Sequence, residues 1–162
     1  MKHHPELTGP IFTAAFQTTA LTANAHDIFG ILAPSNSRVR IHEVCLAQPS
    51  TESPDDRLGV RLLRGSTASS TATALSPRHI HGWSGVPAAG SSVTFGCTTL
   101  VSTASAVLLY ADSFFYNIFN FRPDPCDRPV LDVDQRLHVR ITAPSTGRMN
   151  GTITWSEIGA PS

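Results

Sequence analysis

Lysine is almost missing from this chain: Lys2 is the only one, and arginine supplies the rest of its positive charge. Glutamate is nearly as scarce, confined to positions 6, 43, 52 and 157. Charged residues together reach 15% of the sequence, well under the usual ~25%, and they sum to zero at neutral pH. Such a balance offers no broad basic field to hold nucleic acid and no acidic face to hold basic partners, so neither partner is expected. No run approaches the ~20 apolar residues of a membrane helix, so no membrane partner is expected. Residues 1–10 show no apolar stretch after Lys2, so no secretory signal is expected there and synthesis in a cytoplasm is.

The motifs of common chemistries are missing as well. Cys45, Cys97 and Cys126 are odd in number, widely spaced and without any C-x-x-C pair, which fits neither a disulfide framework nor a zinc site. Reduced, mostly buried thiols are the expectation. There is no G-x-S-x-G elbow for a nucleophile and no glycine-rich phosphate loop. His79 and His81 form an H-x-H pair, yet the glutamate that would complete a metal site is absent until Glu157, so both read as solvated loop residues. Asp124, Asp127, Asp132 and Asp134 lack the tight spacing of a calcium loop and read as turn residues. No enzyme activity, cofactor or metal is expected.

Helical periodicity is the last absence. Nowhere do apolar residues recur at helical spacing over a full helix length, and twelve prolines with eleven glycines punctuate the chain. What is present is strand patterning. The clearest strands are expected at 37–48, 56–64, 105–112, 136–143 and 151–158, with further ones at 11–22, 26–33, 92–100 and 114–121. In 136–143, Leu137, Val139 and Ile141 alternate with Arg136, His138 and Arg140, which predicts one face on a core and one in water. In 37–48, Val39 and Ile41 have one parity and Val44 and Leu46 the other, so a bulge near His42 and Glu43 is expected to return the second pair to the core.

These elements predict an all-β fold: an antiparallel two-sheet sandwich, jelly-roll-like, of eight or nine strands, spanning 11–162 behind an N-terminal arm at 1–10. Residues 65–92 are expected to form a long surface excursion, and the proline-rich 122–129 an irregular crossing between two strands. Asn150–Gly151 reads as a tight turn feeding the last strand, and Trp155 as a core residue.

Half of the phenylalanines fall in 114–121, FFYNIFNF, where both parities are apolar. Such a strand is expected to be either roofed by its own chain or pressed against another subunit, since an exposed strip of that size invites association. The candidate interface is therefore Phe114, Phe115, Tyr116, Phe119 and Phe121, with Trp83 from the long loop.

The runs HDIFGILAPSNSRVRIHEVCLAQ, PVLDVDQRLHVRITAP and GTITWSEIG resemble small structural proteins of tailed bacteriophages, over about residues 22–159. Proteins of this pattern include jelly-roll capsid decoration, or cement, proteins. The resemblance implies a virion component made in the host cytoplasm, with no binding residue carried over to a numbered position. Its implied partners are copies of itself, as a dimer or trimer, and the major capsid protein or another virion protein. A tail or baseplate adaptor is the alternative within that class. A carbohydrate-binding sandwich presenting Trp83 is the alternative outside it.

Overall fold

In the computed structural model, residues 9–17, 24–48, 57–66, 72–80, 88–97, 100, 102, 106–114, 118–143 and 147–159 are described. Among them there is no helix. They form twelve strands: β1 (Ile11–Gln17), β2 (Asn24–Leu32), β3 (Ser37–Ala47), β4 (Leu58–Gly65), β5 (Thr73–Leu75), β6 (Arg78–His79), β7 (Ser92–Cys97), β8 (Val107–Phe114), β9 (Phe119–Phe121), β10 (Val130–Leu131), β11 (Arg136–Ala143) and β12 (Asn150–Gly159). The count exceeds the expected eight or nine because β5, β6, β9 and β10 are pieces of only two or three residues.

Two antiparallel sheets result. Sheet 1 runs β10-β3-β12-β1-β6, with β9 also on β3, and sheet 2 runs β5-β7-β2-β11-β4-β8. One core fills the space between them, built on Phe12, Ile41, Leu46 and Trp155 from sheet 1 and Phe29, Leu62, Val139 and Ile141 from sheet 2. The β3 bulge is where the side-chain parity demanded it: Thr154 pairs with Glu43 and Trp155 with Ile41, leaving His42 as the extra residue. Val39, Ile41, Val44 and Leu46 are all buried as a consequence.

Several expectations are corrected. β11 does not turn one face to water, because His138 and Arg140 are buried along with Leu137, Val139 and Ile141. The reason lies on β2, where Asp27 is the cross-strand neighbour of Arg140 and receives its guanidinium at 2.6 and 3.0 Å. Residues 65–92 are not a plain excursion: β5 pairs with β7 in sheet 2 and β6 with β1 in sheet 1, so this stretch stitches both sheets. Residues 122–129 do not cross between distant strands. They join β9 and β10, which lie in line along the same side of β3, so the prolines interrupt one edge strand. Asn150 and Gly151 are strand residues, not a turn; a Cβ at Gly151 would stand 2.5 Å from the Phe16 ring and 2.8 Å from Leu46.

The thiols also differ from expectation, since Cys126 is exposed and Cys45 half-buried, both free. The side chain of Cys97 and residues 1–8 of the expected arm at 1–10 lie outside the described residues.

Candidate functional site

The aromatic segment is not one strand. Phe114 ends β8 at the edge of sheet 2, while Phe119 begins β9 on sheet 1, so the chain changes sheets between them. That change explains the apolar parity on both sides better than a two-faced central strand does: each half supplies the core from its own sheet. Phe119 is buried, and Phe114 and Phe121 are half-buried against the core cluster. Trp83, Phe115 and Tyr116 lie outside the described residues.

The three described candidates meet at the open side of the sandwich. Phe114 lies 5.6 Å from Phe119, ring centre to ring centre. Tyr110, outside the set expected from the sequence, joins them at 6.0 Å from Phe119 and 5.0 Å from Phe121. Its signal was its spacing, since Tyr110 and Phe114 share a face of β8 with Asp112 between them. Separations and tilts of this kind are the favoured ones for aromatic pairs, worth about 0.5–1.5 kcal/mol each beyond area burial.

Tyr110 donates its hydroxyl to Asp112 Oδ2 at 2.9 Å, and the Ser113 amide donates to Oδ1 at 2.7 Å. The Ser113 amide first, then the Tyr110 hydroxyl, and lastly the charge of Arg57 hold the Asp112 carboxyl below its ordinary value, against slight desolvation. Accepting from Tyr110 in this way raises the phenol's pKa, with desolvation and the Asp112 charge adding to the effect.

Three large aliphatic side chains on or beside these elements are open to water: Ile118, next to Phe119, is 66% exposed, and Val107 and Leu108, at the start of β8, are each 53% exposed. The arrangement can exclude water from an apolar partner, and Asp112 gives it one fixed negative charge.

Elsewhere the polar groups hold the fold together. Trp155 is fully buried, as its strand patterning required, and its indole donates to Ser91 Oγ at 2.8 Å. The Ser91 hydroxyl and amide and the Gly90 amide in turn donate to the Glu157 carboxylate at 2.6, 2.8 and 3.0 Å. His42 Nε2 lies 2.9 Å from Ser156 Oγ, but Ser156 is buried, so that hydroxyl is not presented to a substrate. His79 packs edge-on against Phe12 at 5.7 Å, while its companion His81 lies outside the described residues. Asp124 and Asp127 share a turn closed by the Asp127 amide on the Asp124 carbonyl, and Asp132 pairs with Arg38 on the surface. Among the described residues no three His, Cys, Asp or Glu side chains converge as a metal site would require.

Cys45 lies in a shallow hollow of about 240 Å³ between β1, β3 and β12, with Ala15, Ala47 and Thr152. Burial first, then the charge of Glu43, pushes its thiol pKa up, the opposite of what a nucleophilic cysteine needs. No protein-family model matches the chain, and no match was found among curated proteins or solved structures.

Proposed function

We propose that this protein is a virion structural component: a capsid decoration or cement protein of a tailed bacteriophage, made in the host cytoplasm. It self-associates as a dimer or trimer and stabilises the shell by contacts with the major capsid protein or another virion protein. Its placement in a virion rests on the resemblance of its strand runs to such proteins. The observation that carries a contact role is the exposure of Val107 and Leu108 on β8 and of Ile118 beside β9, large aliphatic side chains open to water on or next to the elements that bear the half-buried aromatic cluster. The chain's repeated passage from sheet to sheet suits jelly-roll winding.

Two measurements test this reading. Immunogold labelling of purified particles should place the protein on the shell; labelling of the tail reassigns it to an adaptor, and its absence from particles refutes both. Light scattering after gel filtration should give a dimer or trimer mass, and a monomer mass for the wild type refutes self-association.

A further inference from the structure

Among the described residues four strand edges end the two sheets, and they are not alike. Sheet 1 ends at β6, of two residues, and at the proline-interrupted β9 and β10. Sheet 2 ends at β5, of three residues, and at β8, of eight. Short edges and prolines are the usual protection against strand addition. β8 has neither, and it carries no lysine or arginine between Val107 and Phe114. Its pairing is with β4, and Val107, Leu108, Ala111 and Asp112 are all exposed.

We propose that β8 is the self-association edge, pairing antiparallel with β8 of a second copy about a two-fold axis to join both copies of sheet 2. The inference rests on the self-association proposed above and names the surface that carries it.

The β8 bulge selects the register. Leu62 pairs with Tyr110 and Leu63 with Leu108, so Leu109 is the extra residue. Tyr110, Asp112 and Phe114 share the inner face with Leu62, Val60 and Leu58, and beyond the bulge Val107 shares it with Arg64. Leu108, Ala111 and Ser113 share the outer face with Leu63, Arg61 and Gly59. Directly opposed residues of an antiparallel pair point the same way. Placing Val107 opposite Asp112 of the second copy, and Leu108 opposite its Ala111, matches inner to inner and outer to outer. The bulged Leu109 then lies at the axis.

Charge supports the same register. On the inner face it forms the row Arg64, Val107, then Asp112 of the second copy, and the symmetry makes this row twice. Two strand spacings separate the charged residues, about 10 Å between Cα atoms. In the single chain Arg64 Nη1 donates to the Val130 carbonyl at a long 3.5 Å, and the arginine closes the gap by exchanging that contact for the second copy's carboxylate. On the outer face, Leu108 is covered by the second copy's Ala111 and the aliphatic stem of its Arg61. A copy of the same strand is the occupant that offers equal length, an edge without proline or basic residues, and this reciprocal pair of charges, which satisfies the inward-facing Asp112 that would disfavour an uncharged strand.

Sedimentation velocity on the full chain separates the outcomes. Wild type should associate, Asp112→Arg and Leu108→Lys should each weaken association about tenfold or more, and Asp112→Arg with Arg64→Asp should regain most of the loss. A monomeric wild type overturns both this inference and the self-association it rests on. An oligomer that Asp112→Arg and Leu108→Lys leave unaltered overturns β8 as the edge while self-association stands. Hydrogen exchange on wild type covers the case of poorly folded variants: protection of 107–114 should rise with protein concentration, and exchange independent of concentration overturns the proposal.

Discussion

The pair of Asp27 and Arg140 shows how one residue's environment can reverse its surface reading. Arginine in an alternating strand reads as the wet face, yet here the side chains are 0% and 7% exposed and joined by two hydrogen bonds. Removing one member leaves the other charged and buried, which costs about 3–5 kcal/mol, whereas replacing both by apolar groups is often neutral. Asp27→Asn should therefore lower the urea midpoint sharply, and Asp27→Leu with Arg140→Met should restore most of it; equal losses in single and double variants would contradict this account. Asp112 makes a smaller, pH-linked contribution. Its folded pKa is depressed, so its stabilisation is complete above the ordinary 3.8 and is lost as pH falls through the lower folded value. Tyr110 has the opposite sign, its contribution being complete below 10.0 and lost as pH rises through the raised value. In carboxyl-carbon NMR titrations Asp112 should ionise below 3.8, and Tyr110→Phe should move it only part of the way back, because the Ser113 amide remains.

At the scale of elements, β12 is the most constrained strand, lying between β1 and β3 along most of its length. The Phe16 ring and Leu46 fill the space where a side chain at Gly151 would begin, so Gly151→Ala should destabilise by about 1–3 kcal/mol in chemical denaturation. A neutral result would mean that Phe16 can swing clear. The sequence made such strands legible wherever a parity rule bore on a buried face. The same rule located the extra residue at His42, because four apolar side chains at 39, 41, 44 and 46 had to reach one core. It failed at 114–121, because a strand wetted on neither side and a chain changing sheets leave the same apolar trace. It failed again at Gly151, since Asn-Gly is a turn signal only when no neighbouring ring needs the glycine's space. The site was half legible: the phenylalanines announced an aromatic cluster, but Tyr110 and the open edge of β8 depend on pairings between distant segments.

For the whole molecule, those distant pairings make the two ends of the described fold mutually dependent. β1 and β12 are neighbours, with Phe12 opposite Trp155 and their rings 5.9 Å apart in the core. Through its other side β12 also holds β3, so it bridges the strands that begin sheet 1 to those that complete it. Its removal takes away Trp155 and Ile153, opens the core, and leaves β1 and β6 without a link to β3. Burying an indole of this kind is worth about 3–5 kcal/mol on its own, a large share of the 5–15 kcal/mol that stabilises a typical domain. A variant lacking residues 150–159 should therefore show no cooperative unfolding transition and should bind a hydrophobic dye. The intact chain, whose sheets close through such long-range pairs, should refold in roughly milliseconds to seconds. A truncated protein that keeps a sharp transition near the wild-type midpoint would show that sheet 1 closes without its central strand. The role of β12 as the bridge would then be wrong.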